Sequence, residues 1–197
     1  MSHKLQRLAT VLMRGHNKKC SSHQNKILGE GEMEYRDTYS NWLAAKAVGE
    51  QAETIYSTMF PAFENVSQDP KYWQIDVDFI FRYDRRYTAE LKHDMTAAKS
   101  GRIYLEWTQY KPSHNGQGCI QYSQATYLCV AVPLKPFPQL YVFKLADIRQ
   151  LCHDGKLKKE WTQYGSCYWL PIADIPTLGV EYRQYHFNGK PHFFEIF

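Results

Sequence analysis

Apolar and polar positions change period along this chain, from helical spacing before residue 60 to alternation after it. Ala44, Ala45, Ala47, Ala52, Ile55, Tyr56 and Met59 recur at helical intervals, which predicts a helix within 35–60 that Pro61 ends. Pro61 to Trp73 reads as a connector with proline near both ends. From Ile75 to Phe81 the residues alternate as in a strand, with Asp76, Asp78 and Ile80 on one face and Val77, Phe79 and Phe81 on the other. Arg82 to Tyr87 is polar and reads as a hairpin tip. The strand Thr88–Lys92 then places Glu90 and Lys92 on one face and Leu91 on the other, and a third strand runs from Arg102 to Trp107. Thr126 to Leu134 is apolar throughout, as expected of a strand buried on both faces, and Leu140 to Phe143 forms another. Leu145 to Cys152 is a short helix stopped at Asp154-Gly155. Tyr168 to Ile172 makes an edge strand in which Pro171 is tolerable, and Val180 to Phe197 a hairpin around Asn188-Gly189. This order predicts an α/β domain with a mixed central β-sheet flanked by helices.

The chemistry lies in the first strand pair. Carboxylates on one strand beside an acid–x–lysine step on the next suit a hard divalent cation, with an ammonium beside the attacking water or the charged transition state. The spacing itself is not selective, since Asp69/Lys71, Glu90/Lys92 and Asp154/Lys156 all have it. Only Glu90/Lys92 falls on an alternating strand preceded by acids; the first lies in a turn and the third in a loop. The same pattern also describes an exposed strand face bearing a charge ladder. Periodicity leaves Asp76 and Asp78 equivalent.

From about Gly49 to Ile175 the chain resembles the PD-(D/E)XK nuclease superfamily, in its compact phage and mobile-element form. The resemblance rests on Gly49-Glu50-Gln51-Ala52-Glu53 on the helix, Asp78 (or Asp76), and Glu90-Leu91-Lys92 with Asp94. It continues through Ser100-Gly101-Arg102 into a strand ending at Glu106, and Ser123-Gln124-Ala125-Thr126-Tyr127 into Leu128-Cys129-Val130. Departures are the absence of proline before the aspartate, His93 where threonine is usual, and Arg102 in place of asparagine. Gln124 and Tyr127 stand one residue too close for the Gln–Tyr helix motif of the exonuclease branch. The resemblance implies a restriction-endonuclease-like fold and metal-dependent hydrolysis of phosphodiester bonds, in DNA rather than RNA. It implies Mg²⁺ or Mn²⁺ on Asp78, Glu90 and the Leu91 carbonyl, with Asp76 as a further ligand or hydrogen-bond partner. Asp78, Glu90, Lys92 and Glu53 would be the catalytic set, Glu53 ranking above Glu50. The competing reading is a non-catalytic nucleic-acid-binding or inhibitor protein that keeps the nuclease fold.

Composition narrows the class. A chain of 197 residues with 44% hydrophobic and 15% aromatic content is expected to form one domain with a proper core. No apolar run approaches a membrane span, and five scattered cysteines without a Cys-x-x-Cys pair suit the reducing cytoplasm. Cys20 and His23 have half of a zinc spacing and no second pair. The net charge of +4 is uneven: residues 1–29 hold Lys4, Arg7, Arg14, Lys18, Lys19 and Lys26 with no acid, leaving 18 basic against 20 acidic residues elsewhere. We therefore expect a basic arm over 1–34, suited to phosphate contacts, before a nuclease-like domain over 35–197. Arg82, Arg85 and Arg86, interleaved with Tyr83 and Tyr87, and then Lys99 and Arg102 are the further candidates for nucleic-acid contact. Lys111 to Gly118 is the candidate substrate loop, and Glu106 would sit at the rim of the site if its strand lay beside that of Glu90. A concerted double-strand cut would require a homodimer. Glu-Trp-Thr-Gln-Tyr occurs at 106–110 and 160–164 in unlike surroundings, as coincidence rather than a repeat.

Overall fold

The computed structural model describes residues 47, 49–50, 52–54, 56–58, 60–110, 116–133, 138–162 and 165–186. Contacts divide the chain into compact units 1–47 and 48–197, and every element below beyond residue 47 belongs to the second. The basic arm, the segment 111–115 of the expected substrate loop, and residues 187–197, which hold the turn and second strand of the expected C-terminal hairpin, lie outside the described residues.

Helix α1 is helical at every described position from 47 to 58. The expected connector after it holds two elements, strand β1 (Phe63–Asn65) and helix α2 (Pro70–Trp73). Asp69 caps α2 by accepting the Lys71 N–H at 2.9 Å, with Pro70 at the first helical position where its missing N–H costs nothing. Strands β2 (Phe79–Phe81) and β3 (Thr88–His93) follow, then helix α3 (Ala97–Ser100), strand β4 (Arg102–Glu106) and helix α4 (Cys119–Tyr122). Strands β5 (Tyr127–Val132) and β6 (Gln139–Lys144), helix α5 (Leu145–His153), strands β7 (Lys158–Thr162) and β8 (Gly165–Pro171), a 3-10 turn (Ile172–Thr177) and strand β9 (Tyr182–His186) complete the order.

Two sheets result. The larger has strand order β1-β2-β3-β5-β6-β9; β3 and β5 are parallel and the other neighbours antiparallel. The smaller is antiparallel with order β4-β8-β7. The mixed α/β sheet is thus as expected, but β4 does not join β2 and β3, and β8 is a central strand rather than an edge. Pro171 is tolerated there because it closes the strand, opposite Arg102, the first residue of β4. Asp94 turns the chain away after β3. Its Oδ1 accepts from Thr96 N, Thr96 Oγ1 and Ala97 N, and its Oδ2 from Tyr104 N at 2.8 Å. Gly101, at φ 66, completes the reversal into β4.

The core follows the strand parity. In β5, Tyr127, Cys129 and Ala131 face Ala52, Tyr56 and Phe60 at and beyond α1. Leu128, Val130 and Val132 face the other way, into a cluster with Ile103, Leu105 and Leu170 of the smaller sheet and Ile148 and Leu151 of α5. Glu90 pairs with Leu128 and Lys92 with Val130, so both occupy positions on this second face, between the sheets.

Candidate functional site

The site forms where β2 and β3 part. Asp78 N donates to Ala89 O at 3.0 Å although Phe79 is the residue registered with Ala89, so two residues of one strand meet one of the other and the ladder makes a bulge-like step at Asp78. Beyond that step Asp78 O is taken by Val66 N at 2.8 Å, so the chain stays with β1 and leaves β3. The Leu91 N–H, which would otherwise lack a partner, donates to Asp78 Oδ2 at 2.8 Å. Asp76 adopts φ 55, the one positive φ outside glycine among the described residues. For an L-residue that conformation costs about 1–2 kcal/mol, and aspartate is among the side chains that tolerate it best. The strand expected from Ile75 therefore begins at Phe79.

Three contacts hold the bent segment. Gln124 N donates to Ile75 O at 2.9 Å, Ser123 Oγ to Asp76 O at 2.7 Å and Tyr122 OH to Asp76 Oδ1 at 2.9 Å. Tyr122 was invisible as a site residue in the sequence, since nothing local links it to an aspartate 46 residues away. Ser123 carried only the signal of a step into a buried strand.

Charge is concentrated here. Glu90 is 2% exposed; its Oε1 is ion-paired with Lys92 Nζ, and its Oε2 is buried without a hydrogen-bond partner. Asp76 Oδ2 is also buried and unpartnered. Burial pushes the Glu90 carboxyl well above the usual range; Lys92 opposes the shift while Asp78 and Asp76 reinforce it. Asp78 is raised as well, by burial first and by Asp76, against the pull of Lys92 and the Leu91 N–H. For Lys92, burial acts to lower the pKa, but the Glu90, Asp76 and Asp78 carboxylates outweigh it and hold the ammonium well above its ordinary value. Its side chain retains 37% of its accessible surface. The neighbouring Cys119 thiol is pushed far up by burial and remains neutral at physiological pH.

The other sequence candidates scatter. Glu53 accepts a hydrogen bond from Ser67 Oγ, and its pKa is raised by burial with a contribution from Asp78, which places it in electrostatic reach of the site. Asp94 is consumed by its turn. Buried His93 Nδ1 has no hydrogen-bond partner among the described residues, and burial lowers its pKa. Glu106 is not on a strand beside Glu90; it accepts from Gln109 Nε2 at 2.9 Å and from Cys119 N at 3.5 Å, and so meets the site through Cys119. Gly118 permits that contact, since a Cβ there would lie 2.5 Å from Glu106 O. Arg82, Arg85 and Arg86 are exposed at the opposite end of the β2–β3 hairpin, four strand residues or about 13 Å from Asp78 to Arg82. Arg85 pairs with Glu64 at 3.1 Å and Arg86 with Asp84 at 2.6 Å. Lys99 is exposed on α3, and Arg102 lies over the Trp169 ring at 4.6 Å on the smaller sheet.

Among the described residues no three Asp, Glu, His or Cys side chains already converge on one ion position. The donor chemistry nevertheless fits a hard cation. Mg²⁺ needs only one or two carboxylates, with waters and substrate oxygens completing its octahedron. Two buried carboxylate oxygens here, Glu90 Oε2 and Asp76 Oδ2, have no donor to satisfy them. Compared with protein-family models, curated proteins and solved structures, the chain matches none.

Proposed function

We propose that this protein is a metal-dependent nuclease that hydrolyses phosphodiester bonds in DNA, on a restriction-endonuclease-like arrangement of β2, β3 and β5. The observation that carries the reading is Glu90, buried within electrostatic reach of Asp78 and Asp76 with one oxygen unpartnered and the other on Lys92. Asp78 and Glu90, with the Leu91 carbonyl and Asp76, would hold Mg²⁺ or Mn²⁺. Such an ion supplies an activated water and neutralises charge on the phosphodiester. Lys92 acts as a cation and not as a general base, because its raised pKa keeps it protonated throughout the neutral range. Half-exposed on the same strand face as Glu90, it can attract the substrate phosphate and stabilise the charge that develops on it. Glu53, in electrostatic reach of Asp78 and Lys92, is the supporting acid. DNA as the substrate, in preference to RNA, comes from the family resemblance alone.

The alternative is a nucleic-acid-binding or inhibitor protein that does not cut. It is favoured by the lack of a converged ligand set among the described residues and by the Glu90–Lys92 pair, which neutralises a carboxylate that a metal would use. Plasmid, linear duplex, single-stranded DNA and RNA, each incubated in Mg²⁺, in Mn²⁺ and in EDTA, separate the two. The nuclease cuts at least one of them only with metal, and Lys92→Ala or Asp78→Asn lowers the rate by about 100-fold or more. Binding without cleavage, unchanged in both variants, establishes the alternative.

A further inference from the structure

A chain of contacts leads from helix α5 to the backbone of Asp76. Arg149 donates from Nε to Ile120 O at 2.7 Å, and from Nη2 to Gln121 O at 3.3 Å and Ser123 O at 2.5 Å. Those are carbonyls at the end of α4, which a four-residue helix leaves without internal partners. The guanidinium thereby fixes the turn that carries Tyr122 and Ser123. Tyr122 packs against the core beside it, and Ser123 is 2% exposed. Both reach the same residue, Tyr122 at the carboxylate Oδ1 and Ser123 at the carbonyl oxygen. Asp76 is consequently held in a conformation that residues other than glycine seldom adopt, with Oδ1 occupied and Oδ2 buried and unsatisfied.

We infer that Tyr122 and Ser123 are positioning residues that hold Asp76 so that its Oδ2 serves as a carboxylate ligand beside Asp78 and Glu90. The inference rests on the metal-dependent reading above. Neither side chain touches the ion; each works through Asp76, as the partners behind metal-ligating side chains do elsewhere. Losing the Tyr122 hydroxyl frees the carboxylate to rotate, and losing the Ser123 hydroxyl relaxes the backbone.

The test uses the full chain, freed of metal with EDTA, dialysed and titrated with MnCl₂ alone. Two readings are taken for wild type, Tyr122→Phe, Ser123→Ala, Asp76→Asn and Asp78→Asn: the unfolding midpoint as a function of Mn²⁺, and calorimetric Mn²⁺ binding without nucleic acid. Tyr122→Phe and Asp76→Asn are expected to unfold cooperatively without metal yet to require about 10–100-fold more Mn²⁺ for the same response. If Tyr122→Phe does not fold, Ser123→Ala carries the same expectation. Wild-type affinity in Tyr122→Phe, Ser123→Ala and Asp76→Asn, with loss confined to Asp78→Asn, overturns this inference and leaves the nuclease reading standing. No Mn²⁺ response in the wild type removes both.

Discussion

At the scale of single residues, the acids of this site are placed against their own interest. Glu90 and Asp78 both titrate above the ordinary 4.5 and 3.8, with burial the largest cause. The folded state therefore binds protons more tightly than the unfolded chain does. The contribution of these groups to stability is fully present below the unfolded values and is lost as pH rises through the folded ones. In EDTA, the unfolding midpoint should fall as pH is raised from about 4.5 upward, a trend that a calorimetric pH series measures and that saturating Mg²⁺ should flatten. Asp78→Asn should isolate the effect. The amide oxygen can still accept the Leu91 N–H, while one negative charge disappears from the cluster. We expect Asp78→Asn to melt about 2–4 °C above the wild type at pH 7.5 in EDTA, corresponding to roughly 1 kcal/mol, while losing cleavage. A variant that melts lower would show that the carboxylate serves the fold rather than opposes it.

At the scale of elements, the contrast is between strands whose faces are both apolar and strands set by partners far away. The strand β5, the helix α5 and the strand β3 were legible because each carries its own period. The early end of β2 was not, because its alternation runs on through Asp76 while the backbone turns out of the ladder there. The strand β7 reads as polar, Lys158-Lys159-Glu160-Trp161-Thr162, and becomes a strand only because β8 offers it an edge. The two copies of Glu-Trp-Thr come to flank one strand there, since Glu106 and Glu160 both pair with Cys167, from opposite sides of β8. Asp94 is the element-scale device with the largest expected effect, since it accepts four hydrogen bonds that turn β3 into α3 and fasten β4. Asp94→Ala should lose about 3 kcal/mol in urea denaturation, with Asp94→Asn intermediate because one oxygen remains to accept.

At the scale of the whole molecule, the larger sheet carries α1 on one face and the smaller sheet with α5 on the other, and the acids sit where those layers meet. Phe143, fully buried in the layer shared with α5, is the test of that core: Phe143→Ala should cost about 3–5 kcal/mol. A cation that binds only the folded chain links site to stability. At 100 times its dissociation constant, Mg²⁺ should add about 2.7 kcal/mol, read as a rise in the unfolding midpoint that Asp78→Asn abolishes.

The sequence alone determined the α/β class, the buried strands and the placing of Glu90 and Lys92 on one strand face, because period-two and period-3.6 patterns are local consequences of backbone geometry. Tertiary structure alone decided that β4 departs to a second sheet and that the Asp78 carboxylate caps the Leu91 N–H. It also decided that Asp76 is bent and clasped by Tyr122 and Ser123. Those outcomes depend on hydrogen bonds between residues tens of positions apart, and no local period encodes a partner at that distance.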